Sequence, residues 1–240
     1  MEGQMTFEFA KRPTIKGYPE LRWTGKRPYE STQYYPAQLR ERYGEETNGW
    51  INKIFWGDNL QVMSHLLKEY RGKVQLIYID PPFDSRVDYK MKVELKGKKA
   101  TNDISTFEEK QYGDIWTNDE YLQFMYERLI LMRELLADDG SIYVHLDEKR
   151  SHYIRLILDE VFGQNSFRRE IIWDITVLSG FKVQAKNWIR GHDTYCTTQK
   201  LQHHCLTSCV SPIHRTILIC LIKLMRTENG IWLLMEVHDI

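Results

Sequence analysis

The residues best suited to chemistry stand four in a row, Asp80, Pro81, Pro82 and Phe83. They follow Val74–Ile79, which is apolar or β-branched at nearly every position and so fits a buried strand better than a one-sided one. Neither proline has a backbone N–H, and each holds the residue before it towards extended geometry. A charged side chain, two rigid residues and an aromatic ring would therefore be fixed at the carboxyl end of a core strand. In open α/β sheets that end is where ligands bind.

The elements that must position these residues follow from spacing. Ile54-Phe55-Trp56 reads as a short strand closed by Gly57. Asn59 can cap a helix running to about Tyr70, because Leu60, Met63, Leu67 and Tyr70 recur at helical intervals, and Gly72 follows as a stop. Residues 84–116 form a long connection with a basic run at Lys90, Lys92, Lys96, Lys98 and Lys99, read as a solvated loop rather than a phosphate-contacting arm. Thr117-Asn118-Asp119-Glu120 is a capping box, and the helix behind it carries Leu122, Met125, Leu129, Met132 and Leu136 on one face. Asp139-Gly140 should end that helix, with Ser141–Leu146 as the next strand. A helix to about Phe162, a stop at Gly163 and a strand at Phe167–Trp173 follow. Residues 1–50 read as an irregular arm, with a short helix at Ala37–Tyr43. Strands alternating with helices predict a parallel, doubly wound α/β sheet.

Formal net charge is zero, so no global basic field argues for nucleic acid; any such argument must come from a site. No signal pattern opens the chain, and the apolar run at Ile217–Ile222 is far short of the roughly 20 residues of a spanning helix. A soluble cytoplasmic protein, with no membrane partner, is the expectation. All four cysteines lie after residue 194, with four of the eight histidines. That tail of 46 residues holds 7 charged residues against 59 in the first 194, so composition changes sharply there. Cys196, His203, His204, Cys205, Cys209 and His214 match no standard zinc spacing, and no metal site is expected.

An Asp-Pro-Pro-Phe end on a buried strand resembles motif IV of the amino-methyltransferases, which move a methyl group from S-adenosylmethionine to the exocyclic nitrogen of adenine or cytosine. The neighbours match too. Gly57-Asp58-Asn59-Leu60, Asp114-Ile115-Trp116, Asp139–Asp147, Leu158–Gly163 and Glu170–Trp173 all look like the β-group arrangement of that family. The resemblance covers about residues 12–194 and is nearest to the modification subunits of type III restriction systems. It implies a partial Rossmann-like methyltransferase fold and an adenine-specific DNA methyltransferase. Asp80 and the Pro81 carbonyl would accept the two amine hydrogens, Pro82 would keep the loop rigid, and Phe83 would stack on a base flipped out of the duplex. Asp58 and Asn59 would lie at the cofactor, with capping of the next helix as the rival role for Asp58. His145 reads as a packed structural histidine. The implied partners are double-stranded DNA, a second copy of the chain and a restriction subunit with helicase and nuclease activity.

Carbon-5 cytosine methylation is excluded, since it needs a cysteine nucleophile and no cysteine precedes residue 196. Cytosine-N4 transfer uses the same chemistry as adenine-N6 and stays open as an alternative. Asp80 favours adenine by analogy, and protein-glutamine enzymes usually carry Asn there. The family's glycine-rich cofactor loop has no counterpart here, since Gly230 is the only glycine after Gly191. Tyr195–Gln199 back-translates as TAY TGY ACN ACN CAR, which two bases later can spell the family's Leu-Tyr-Tyr-Thr. The expectation is therefore an arm at 1–50, a catalytic half at 51–194 and an out-of-frame, poorly ordered tail at 195–240, a truncated enzyme that is inactive alone. A non-catalytic remnant that binds DNA or a restriction partner is the rival reading, and an unstable product the third.

Overall fold

The computed structural model describes residues 4–11, 16–46, 51–82, 117–175 and 191–200, together with the backbone of 88–92, 108–113, 217–227 and 230–239. The arm contributes only a two-stranded antiparallel ladder, β1 (Thr6–Glu8) with β2 (Ser31–Gln33). The helix expected at 37–43 does not form. Leu39 and Tyr43 are 84% and 80% exposed, so that stretch buries no apolar face that would hold a helix together.

The alternation then begins. β3 (Lys53–Asp58) leads directly into α1 (Asn59–Tyr70), and the cap is Asp58 rather than Asn59: its side chain accepts from the Gln61 N–H. Gly72, at φ +69°, turns the chain into β4 (Val74–Asp80). The long connection contains an antiparallel pair, β5 (Asp88–Lys92) and β6 (Glu108–Gly113). The Thr117 capping box then opens α2 (Asn118–Leu135). β7 (Leu136–Leu146) follows without a loop, then α3 (Ser151–Phe162), stopped by Gly163 at φ +91°. β8 (Phe167–Asp174), β9 (His192–Gln199), β10 (Ile217–Thr227) and β11 (Gly230–Asp239) complete the set.

Seven strands form one sheet in the order β3-β11-β10-β4-β7-β9-β8. β4 runs parallel to β10 and β7, whereas β9 is antiparallel to β7 and β8, so the sheet is mixed rather than wholly parallel. The last two strands form an antiparallel hairpin. They lie between β3 and β4, next to the central strand.

The core lies between this sheet and the layer α1-α2-α3. Ile77, Ile79, Ile142, Val144, Leu146 and Cys196 alternate along their strands and are buried with Met63, Leu67, Leu129, Met132 and Ile157 of the helices. Helix α2 is buried on more than the one expected face, because the arm covers its outer side. Trp23 Nε1 donates to Gln123 Oε1 at 3.2 Å, Arg27 pairs with Glu127 at 3.0 Å, and Arg133 donates to the Ala10 carbonyl. Polar positions that would normally face water are thus satisfied inside the molecule.

Candidate active site

The alternation that sends Ile77 and Ile79 into the core sends Tyr78 and Asp80 to the opposite face. Ile79 lies opposite Val144, so Asp80 is next to His145, and His145 lies opposite Tyr195 on β9. Three adjacent strands therefore place Asp80, His145 and Tyr195 in one row across the sheet, near the carboxyl end of its central strand.

His145 is held on three sides. Its Nδ1 is 3.1 Å from Asp80 Oδ1 and its Nε2 is 3.4 Å from Asp193 Oδ2. The Tyr195 ring stacks on the imidazole, with centroids 4.5 Å apart and planes 11° from parallel. Trp173 meets Tyr195 edge-on at 6.5 Å, and the Tyr78 ring lies 6.1 Å away. Burial pushes the Tyr78 hydroxyl well above its ordinary range. Its hydrogen bond with Tyr195 and the Asp80 charge act in the same direction. Both prolines after Asp80 are buried, so the chain leaves the strand on a rigid, packed path.

The expected site residues separate into two groups. Asp80, Pro81 and Pro82 stand together at this row; Phe83 lies outside the described residues. Asp58 ends β3, three strand spacings away across the sheet, roughly 14 Å. Its Oδ1 is occupied by the α1 cap. Asn59 is fully buried, with Oδ1 accepting from Arg128 Nε and Nδ2 without a partner among the described residues. Burial lowers the Arg128 guanidinium, while Asp58 and Glu127 oppose that fall.

His145, expected to be a packed structural residue, is 16% exposed and lies between two carboxylates. Asp193 and Tyr195 carried no expected role. Asp193 lies at the end of the stretch that resembles the family and Tyr195 just beyond it, but their place beside Asp80 depends on strand register, which spacing alone does not give. Among the described residues no group of His, Cys, Asp and Glu could hold a metal ion, and no helix is long and apolar enough to cross a membrane. His203, His204, Cys205, Cys209, His214, Lys96, Lys98 and Lys99 lie outside those residues.

Comparison with known proteins falls on the same segment. The chain is 35% identical over 130 residues to the type III restriction-modification enzyme StyLTI Mod subunit of Salmonella typhimurium, covering 51% of this chain and 20% of that protein. It is 35% identical over 136 residues to the type II methyltransferase M.EcaI of Enterobacter cloacae, covering 57% and 25%. The EcoP15I Mod subunit of Escherichia coli is 30% identical over 141 residues, covering 54% and 22%. The chain thus spans a quarter or less of the length of these relatives. Among solved structures, the PvuII DNA methyltransferase (cytosine-N4-specific) aligns with a TM-score of 0.39 at 15% identity, covering 72% of this chain and 56% of that one. A family model described as DNA methylase (N6_N4_Mtase) matches residues 74–219. That span takes in β4 with Asp80, β7 with His145 and β9 with Asp193 and Tyr195, and on this match the chain belongs to the N6/N4 DNA methylase family.

Proposed function

We propose that this chain carries the amine-binding half of a site-specific DNA methyltransferase, which moves a methyl group from S-adenosylmethionine to adenine N6. The observation that carries the proposal is the half-exposed Asp80 carboxylate at the end of β4, 3.1 Å from His145 and followed by two buried prolines. An exocyclic amine is a poor nucleophile because its lone pair is delocalised into the ring. Asp80 accepting one N–H and the Pro81 carbonyl the other would draw the nitrogen towards tetrahedral geometry and localise that pair. Acceptors already in place need no reorganisation at the moment of reaction. Phe83 would stack on the extruded base.

S-adenosylmethionine supplies an electrophilic methyl group on sulfur when bound. The residues present suit it in part. Asp58 sits at the carboxyl edge of the sheet with one oxygen taken by the helix cap, leaving the other to accept from the adenosyl part. Asn59 offers only Nδ2, since its oxygen is engaged by Arg128. Double-stranded DNA is the proposed substrate, in the cytoplasm, with a second copy and a restriction subunit as proposed partners. The proposal includes an out-of-frame origin for residues 195–240. DNA sequence across codons 190–200, read onward in the other frames, supports it if a glycine-rich loop appears and overturns it if none does.

The test of function is transfer of labelled methyl groups to duplex DNA, followed by base analysis. Label in N6-methyladenine is expected once the downstream frame is restored and not from the truncated chain alone, with Asp80→Ala in the restored protein lower by about 100-fold or more. Label in N4-methylcytosine would move the assignment to the other branch. Calorimetry with S-adenosylmethionine separates the remnant reading: micromolar affinity supports an enzyme, and no heat supports a non-catalytic chain.

A further inference from the structure

Asp80 is the last residue of its strand and its side chain is 36% exposed, so packing alone does not fix the carboxylate. We propose that His145 is a positioning residue for it: the Nδ1–H of His145 donates to Asp80 Oδ1, which leaves Oδ2 to meet the amine, while Asp193 and Tyr195 hold the ring in place. This assignment rests on the reading of Asp80 as the amine acceptor.

Three observations carry it. The contact to Asp80 is 3.1 Å, within hydrogen-bond range, and the imidazole is only 16% exposed. The far nitrogen faces a second carboxylate, Asp193, itself 12% exposed, and the ring plane lies nearly parallel to Tyr195. All four residues lie on three adjacent strands in fixed register, and constellations on strands are held more tightly than those on loops. A histidine that merely filled space would not need a carboxylate 3.1 Å from its Nδ1. Here that carboxylate is the group that faces the open side of the sheet, and the second lies 3.4 Å from the far nitrogen.

The chemistry supplies its own control. An asparagine amide N–H falls near the position of Nδ1, and a glutamine amide N–H near that of Nε2. H145N therefore keeps a donor for Asp80, and H145Q moves it away. Crystal structures of the wild-type chain and both variants read the Asp80 rotamer directly, and single-turnover and steady-state methyl transfer by the same variants in the frame-restored protein read the consequence. The expected result is Asp80 unmoved in H145N and turned away in H145Q. With it, kcat should fall about 30-fold in H145Q, the loss of one charge-assisted hydrogen bond, with KM for DNA unchanged and most of the loss recovered in H145N. The two variants differ by one methylene, so a folding defect common to both shows in their melting curves and is separated from the contrast between them. Asp80 keeping its place in H145Q overturns the positioning role whatever the turnover. Equal losses in the two variants overturn it as well. If the frame-restored wild type transfers no methyl group while Asp80 moves as expected, the positioning role stands and the proposed function fails.

Discussion

Cys196 follows Tyr195 on β9 and points the opposite way, into the helix layer, where it is 2% exposed. Burial first, and the nearby Glu170 charge second, push its thiol up to about 11. The neutral thiol is therefore the form the fold prefers. Its contribution is fully present below the unfolded pKa, about 8.5, and is lost as pH rises towards the folded value. About 3 kcal/mol should disappear across that window. Urea melts of the wild type and Cys196→Ala at neutral and alkaline pH are expected to show a steeper alkaline loss for the wild type. Parallel pH profiles would sink the assignment. Tyr195, one residue earlier, shows why the site was only partly legible in the sequence. Asp80 could be read because an apolar run, a carboxylate and two prolines are contiguous. Tyr195 and Asp193 reach His145 only through the pairing of β7 with β9, across more than 40 residues of chain.

At the scale of elements, local chemistry was legible wherever it closed on itself. The capping box at Thr117 is complete: Thr117 Oγ1 accepts from the Glu120 N–H at 3.3 Å, and Glu120 Oε2 accepts from the Thr117 N–H at 3.2 Å. Thr117→Ala should lower stability by about 1 kcal/mol, measured as a shift in urea midpoint. The Asp139-Gly140 pair misled for a physical reason. It reads as a helix stop, yet α2 ends at Leu135, and Gly140 lies inside β7 where the ladder with β4 shifts register between Val74 and Leu76. A Cβ at Gly140 would lie 2.7 Å from the Val74 carbonyl oxygen and 2.8 Å from Leu136 Cγ. Backbone cannot yield as a flexible side chain can, so Gly140→Ala is expected to destabilise by about 1–3 kcal/mol, more than the lost cap. A neutral result would mean that the bulge relaxes freely. The β5–β6 pair was not read, because Glu-Glu-Lys-Gln-Tyr-Gly carries no apolar alternation and the short alternation of Asp-Tyr-Lys-Met-Lys was absorbed into the basic run of a loop.

Across the whole molecule, the sheet is continuous only through its last two strands. β3, with Asp58 at its end, pairs with β11, and β4, with Asp80 at its end, pairs with β10. β10 and β11 therefore stand between the two groups of site residues. The change of composition at residue 194 does not coincide with a break in structure, since β9 runs from His192 to Gln199 across it. Removing residues 201–240 should leave Leu76–Asp80 with an unpaired edge beside the site and leave β3 tied to the rest through α1 and the core around Phe55. An unpaired apolar edge strand recruits other chains. The truncated protein is expected to melt at lower temperature, with reduced cooperativity, and to elute in larger species on size exclusion. The His145–Asp80 contact lies on the other side of β4, against β7, and its geometry should survive in whatever fraction stays monomeric. Unchanged melting and a monomeric profile would mean that the hairpin adds nothing to the fold, as expected of an out-of-frame tail, and the spacing of Asp58 from Asp80 would then have to be set by α1 and α2 alone.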